Sequence, residues 1–389
     1  MRIDFVSETW TPQINGVALS VHEHARSMAK RGHDIGVVRP RQKDDPGDAP
    51  NTLLVRGMSL PRYPGLQFGL PAHRRLRRFW QQRRPDAVYI ATEGPLGRCA
   101  QRVARAMGIA TVSGFHTRFD HYASHYGLPF LGAPVRDWLA RFHRRSDLVV
   151  VPTRAMACEL AELGVHRVRV LPRCGDTALF SPARRDPALR RQWGCEGSDL
   201  AVICVGRIAA EKNLDLLLRA FETLQSWIPG ARLILVGDGP LRARLQAENP
   251  GVVFTGLRRA EDLAAHYASA DLFLFPSLSE TFGNVVLEAM ASGLPTLAFN
   301  TGAAFEHIRD GVNGVVVDPH SPGEFVNAAW SLAGDAGLRQ RLGLAARASM
   351  KELDPAVIAA QFEDVMLDAL RSGRPGAPTC MPRVAVFDA

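Results

Sequence analysis

Apolar residues along this chain switch between two spacings. Unbroken runs such as 201–205 (AVICV) and 272–275 (LFLF) read as strands buried on both faces. Between such runs, apolar positions recur every three or four residues. In 17–31, Val17, Val21, Ala25, Met28 and Ala29 share one helical face, and Gly32 follows as a C-cap. The first half reads as strands at 3–6, 35–39, 86–91, 109–114, 148–151 and 168–171, with helices at 17–31, 95–107, 130–145 and 155–163. The second half repeats the alternation: strands at 201–205, 232–236, 252–255, 272–275, 296–299 and 314–317, and helices that include 213–225, 322–332 and 336–350. Strands alternating with helices predict parallel sheets in an α/β protein. The aperiodic stretch 172–187 (PRCGDTALFSPARRDP) reads as an interdomain link, and a last helix at 355–370 starts behind Asp354. The expected division is 1–173, 174–353, a closing helix at 354–371 that crosses back to the first domain, and a tail at 372–389.

Composition narrows the class. The 389 residues are 46% hydrophobic, enough for two large cores. The six cysteines have no C-x-x-C spacing and read as reduced thiols of a cytoplasmic protein. MRIDFVSETW carries no basic-then-apolar leader, and no apolar run approaches the roughly 18 residues that span a bilayer. The net charge of +8 is unevenly placed: residues 49–85 hold eight arginines and neither Asp nor Glu. Arg74, Arg75, Arg77 and Arg78, beside Leu66, Phe68, Leu70, Leu76, Phe79 and Trp80, suit an anionic membrane surface, which would place the protein peripherally at the inner face of the plasma membrane. They suit a solvated helix face equally. No nucleic-acid recognition motif accompanies the charge.

The densest chemistry is FPSLSETFGNVVLEAMASGLP at 275–295. A buried strand ends at Phe275, a polar turn follows, and a helix opens near Thr281 or Gly283. Glycine in a first helical turn lets a ligand approach the backbone, whose free N–H groups favour an oxyanion or a sugar oxygen. Glu280 stands at the mouth of this turn. Glu288 lies eight residues on, roughly 12 Å away if the whole interval were helical. That separation is too great for an acid–base pair on one bond, so the two carboxylates would contact different parts of a long ligand. A second cluster, Gly206-Arg207 followed by Glu211-Lys212-Asn213, sets two cations beyond a strand end, where arginine can chelate a phosphate and lysine adds a point charge. His116 also follows a strand's carboxyl end. His121 and His125 have a zinc-like i, i+4 spacing without a third ligand, and no D-x-D stands between strands; no metal and no cofactor are expected. Gly237 and Gly239 begin a G-x-G, but Arg242 occupies the third glycine position, which disfavours a dinucleotide enzyme.

The string S-x-x-E-T-F-G-x-x-x-x-E-A-M-A-x-G-x-P resembles the donor-site signature of retaining nucleotide-sugar glycosyltransferases of group 1, with an E-x7-E motif. ETWTPQINGV, LPRYPGLQFGLP, EGPLG at 93–97 and FHT at 115–117 are similar to the branch containing GDP-mannose-dependent α-mannosyltransferases, and the resemblance runs to about Leu370. It implies the GT-B fold: two Rossmann-like doubly wound parallel-sheet domains facing a central cleft. It implies hexose transfer, best from GDP-mannose, to a lipid or glycan hydroxyl, without metal; a UDP-sugar is the alternative donor. Gly16 would meet the donor diphosphate, and His116 the donor sugar. Arg207 and Lys212 would hold the diphosphate, and Glu280 with Phe282, Gly283, Asn284 and Val285 the sugar. Glu288 would accept the ribose hydroxyls. Two segments depart from the family pattern: Arg173-Cys174-Gly175-Asp176 and Thr301 to Glu306. A phosphorylase of the same architecture, and a non-catalytic nucleotide-sugar or anionic-membrane binding protein, remain the other classes.

Overall fold

The computed structural model describes residues 1–11, 16–42, 45, 49, 51–59, 67–115, 132–278, 280 and 282–372. Contacts divide the chain into two units, Met1–Leu171 with Ala359–Ala389, and Pro172–Ile358.

Unit 1 runs β1 (Arg2–Val6), α1 (Gly16–Lys30), β2 (Asp34–Pro40), β3 (Thr52–Val55), β4 (Gly57–Ser59), β5 (Gln67–Gly69), α2 (His73–Arg83), β6 (Ala87–Ile90), α3 (Pro95–Ala106), β7 (Ala110–Gly114), α4 (Gly132–His143), β8 (Leu148–Val151), α5 (Arg154–Glu162) and β9 (Val168–Val170). Seven strands form one parallel sheet in the order β3-β2-β1-β6-β7-β8-β9, while β4 and β5 pair as an antiparallel ribbon. Strands β3, β4 and β5 fall within the arginine-rich stretch; β4 and β5 are three residues long and of mixed polarity, whereas β3 is a four-residue run, TLLV, that the charge reading passed over. The order reverses between β1 and β6, the position at which open α/β sheets take ligands.

Helix α2 turns Leu76 and Trp80 fully inward, onto a core with Val6, Val88 and Leu96. Arg74, Arg75, Arg77 and Arg78 are exposed. The helix is thus amphipathic as expected, but its main apolar side chains serve the protein's own core. Arg83 also leaves the basic cluster: its Nε donates to Asp4 at 2.5 Å, and Trp80 Nε1 donates to the same buried carboxylate at 2.9 Å. A charge buried at Asp4 has to be met by such partners.

Unit 2 runs α6 (Pro187–Gln192), β10 (Ala201–Val205), α7 (Leu214–Trp227), β11 (Arg232–Val236), α8 (Arg242–Glu248), β12 (Val253–Gly256), α9 (Ala260–Ser269), β13 (Leu272–Phe275), α10 (Asn284–Ala291), β14 (Thr296–Phe299), α11 (Gly302–His307), β15 (Val315–Val317), α12 (Pro322–Gly334) and α13 (Ala336–Ser349). Its six parallel strands follow the order β12-β11-β10-β13-β14-β15, reversing between β10 and β13. Every residue of β10 and β13 is buried, as their unbroken apolar runs predict.

The closing helix α14 (Pro355–Ser372) starts in unit 2 and continues into unit 1. There Phe362 stacks on His24 at 4.7 Å between ring centres and meets Tyr89 edge-on at 5.1 Å. Glu363 accepts from His33 Nε2 at 2.7 Å and pairs with Arg31.

Candidate active site

The carboxyl ends of β10 and β13 meet at unit 2's point of reversal. Beyond β10 the chain makes Gly206-Arg207, a 3-10 turn at Ala210–Lys212, and Asn213 in the left-handed region at φ 52°, which starts α7. Asparagine tolerates that conformation better than most residues. Two glycines fix the neighbouring loop. A Cβ on Gly237 would lie 1.9 Å from the Gly206 carbonyl oxygen, and one on Gly239 would lie 2.3 Å from that of Ile208. These glycines therefore serve the close packing of two loops, not a dinucleotide.

Beyond β13, Ser277 Oγ donates to Glu280 Oε1 at 2.7 Å, and Lys212 Nζ forms an ion pair with the same oxygen. The two charged side chains are 15% and 12% exposed, so the pair is little screened by solvent. Lys212 Nζ also stands 5.5 Å from the centre of the Phe275 ring. Arg207 is 57% exposed and lies 3.6 Å from Glu211, four residues on; this is the weak surface kind of ion pair. Arg207 and Lys212 line one small hollow with Gly206 and Phe275.

Helix α10 starts at Asn284, with Gly283, one of the two expected opening positions, as N-cap at φ 89°. Glu280 therefore sits on the turn before the helix and Glu288 on its second turn, so the all-helical spacing does not apply. The carbonyl of Phe282 accepts from Ala303 N at 2.5 Å. A Cβ on Gly302, itself at φ 54°, would lie 2.5 Å from that carbonyl oxygen and 3.0 Å from Glu280 Cβ. The divergent segment after Phe299 thus braces the Glu280 turn. Asn284 Oδ1 accepts from Arg173 at 3.1 Å, and the Arg173 guanidinium sits 5.0 Å from the Phe282 ring centre. Val285 is partly buried on the first turn of α10.

Glu288 Oε2 accepts from the Tyr267 hydroxyl at 2.9 Å. Burial raises the Glu288 carboxyl from 4.5 to about 7, the Tyr267 bond opposing the rise. The rings of Tyr267, Phe273 and Phe275 follow one another at 5.8 and 5.6 Å, an aromatic floor running from the Glu288 partner to the Lys212 contact.

Sequence reasoning identified Arg207, Lys212, Glu280 and Glu288, included Ser277 in the quoted signature without giving it a role, and missed Tyr267. Ser277 carried a signal, its i, i+3 spacing from Glu280; Tyr267 carried none. Gly16 is the first residue of α1, in unit 1. His116, His121 and His125 lie outside the described residues. Unit 1's own point of reversal holds buried groups that the sequence reading passed over. Glu8 accepts from Leu96 N at 2.9 Å, and burial raises its carboxyl to about 7. His143 lies 3.2 Å from Glu93 and 2.9 Å from Ser113 Oγ. Among the described residues there is no group of His, Cys, Asp and Glu arranged to hold a metal ion, and no helix long and apolar enough to cross a membrane.

Two doubly wound sheets, one carrying paired cations and carboxylates at its point of reversal, define an α/β scaffold suited to a charged, elongated ligand. Residues 199–335 match the family described as Glycosyl transferases group 1, and residues 14–179 match Glycosyltransferase Family 4. A GDP-mannose-dependent alpha-mannosyltransferase of Mycobacterium tuberculosis is 35% identical over 359 residues, 90% of this chain and 92% of that protein. Sulfoquinovosyl transferase of Arabidopsis thaliana is 31% identical over 308 residues, 77% of this chain and 60% of that protein. The solved sucrose-phosphate synthase of Thermosynechococcus elongatus matches with a TM-score of 0.75 at 19% identity, covering 94% of this chain and 98% of that one. The chain belongs to the group 1 glycosyltransferases: its fold is GT-B and it is a hexosyltransferase.

Proposed function

We propose that the protein transfers mannose from GDP-mannose to a hydroxyl of a lipid or glycan acceptor, with retention at the anomeric carbon. The observation that carries the donor site is the Lys212–Glu280–Ser277 cluster at the β10/β13 reversal, tied through the aromatic floor to Tyr267 and Glu288. Lys212 and Arg207 receive the diphosphate. Glu280 is released by Lys212 to sugar hydroxyls, with the backbone from Phe282 to Val285. Glu288 accepts the ribose hydroxyls. The mannosyl carbon loses its bond to the diphosphate oxygen and gains one to the acceptor oxygen on the same face, while the acceptor proton passes to the departing diphosphate. The cations stabilise charge that builds on the leaving group, so most of the rate comes from preorganised electrostatics. The support for mannose and guanine is the 35% identity to the mycobacterial mannosyltransferase.

The acceptor side is read from unit 1. Exposed Arg74, Arg75, Arg77 and Arg78 on α2 draw the protein to an anionic bilayer at the cytoplasmic face, by charge more than by insertion, since Leu76 and Trp80 point inward.

The test incubates the protein with GDP-mannose, UDP-glucose or UDP-galactose and a membrane-lipid extract, then assigns the product's anomeric configuration by NMR. An α-mannoside formed from GDP-mannose supports the reading. Turnover of a UDP-sugar alone replaces the donor, a β-mannoside removes retention, and no turnover with any of the three donors removes both the GDP-mannose and the UDP-hexose assignments.

A further inference from the structure

Unit 1 contains a second cationic hollow, built by α3 and separate from the residues assigned to the donor. Arg98 and Arg102 stand one turn apart on α3, so their side chains leave the helix on one side. With His73 from α2 and Trp138 from α4 they line a space of about 240 Å³ over the buried Cys99. The local charge is unbalanced. Helices α2 and α3 contain no Asp or Glu. Asp137, the acidic residue of α4, is already engaged by Arg141. Among the described residues neither Arg98 nor Arg102 forms an ion pair. The start of α3 is spoken for as well, since Leu96 N donates to Glu8. Two like charges one turn apart repel each other, and among the described residues no counter-charge pairs with either.

The geometry points to an anion site for a phosphoryl group carried on a small polyol or ring. Guanidinium groups present planar forks that match phosphate oxygens two at a time. The space of about 240 Å³ has room for a phosphate with one small ring or glycerol unit. The partly buried Trp138 ring supplies an apolar wall on which such a unit can lie. Helix α3 follows β6, so its start faces the sheet edge at which open α/β sheets take ligands. The ligand is therefore a free polyol phosphate or the head group of a phospholipid, and its binding is independent of the donor assignment.

The experiment titrates the full-length protein with glycerol 3-phosphate by calorimetry, and separately with phosphatidylinositol and phosphatidylcholine vesicles by co-sedimentation. Arg98→Gln/Arg102→Gln is compared with Arg105→Gln/Arg167→Gln, which removes equal charge elsewhere on unit 1. Thermal stabilisation by GDP, measured on all proteins, reports folding and the donor site independently. The proposal expects roughly tenfold or greater loss for the first variant and little change for the second. Loss with both ligands assigns a soluble phosphate, and loss on phosphatidylinositol vesicles alone assigns the lipid head group. Equal losses in the two variants, or wild-type protein that binds neither ligand, overturn it. Trp138→Ala, expected to weaken polyol phosphate more than inorganic phosphate, gives a second route if the arginine variant misfolds.

Discussion

Glu288 is a carboxyl that the fold holds against its own stability, and replacing it with glutamine should show this directly. Its folded value is about 7 against an ordinary 4.5. The group binds its proton more tightly in the native state, so the associated stability is fully present below about 4.5 and is lost as pH rises through 7. The gap corresponds to about 3 kcal/mol, at 1.36 kcal/mol per pH unit. Glutamine keeps the shape and leaves an oxygen for the Tyr267 hydroxyl, but it never has to ionise. Glu288→Gln should therefore match wild type at about pH 4.5 and exceed it by about 3 kcal/mol near pH 8. The assay is urea unfolding followed by thiol labelling, with Cys204 reporting unit 2 and Cys99 reporting unit 1; both thiols are buried. Glu8 titrates in the same direction within unit 1, so the Cys99 profile should keep its pH slope in both proteins and act as the internal reference. The same variant should bind GDP-mannose roughly tenfold or more weakly, because hydrogen bonds to a charged acceptor are lost. A stability difference at Cys204 that does not change with pH, or a Cys99 profile that changes with the substitution, would refute the reasoning.

Three further outcomes follow from the geometry. Lys212→Gln removes the cation beside Glu280 and should lower turnover on the order of 10²-fold in steady-state assays; activity within twofold of wild type would remove Lys212 from the chemistry. Gly302→Ala puts a methyl group 2.5 Å from the Phe282 carbonyl oxygen at a left-handed backbone position, and should cost on the order of 2 kcal/mol in urea unfolding together with most activity. Changing Arg74, Arg75, Arg77 and Arg78 to Ser should weaken salt-sensitive binding to anionic vesicles by about 1 kcal/mol per charge, while leaving GDP binding intact; unchanged vesicle binding would detach α2 from the membrane.

The sheets were legible because parallel strands buried on both faces are unbroken apolar runs, and β10 and β13 appear where such runs stand. The polar ends of those strands, Arg207, Lys212 and Glu280, were legible from position alone. Pairing was not: that Lys212 meets Glu280, and that Arg207 turns toward Glu211, depends on which loops the sheet order brings together. Tyr267 was hidden for the same reason, since the hydroxyl that meets Glu288 comes from a different helix, 21 residues away. Strands β4 and β5 are too short and too mixed in polarity to signal themselves, β3 (TLLV) was passed over among the arginines, and Arg83 looked like a surface charge because its buried partner, Asp4, lies 79 residues earlier. The start of α10 near Gly283 was legible, but not that Gly283 caps the helix in the left-handed region and stands just outside its first turn.

The central claim is that the donor lies at the β10/β13 reversal of unit 2. Amide hydrogen exchange with and without GDP-mannose tests it most directly. The account predicts slowed exchange concentrated at residues 206–213 and 276–288. Protection confined to other segments, or none at saturating donor, would contradict it.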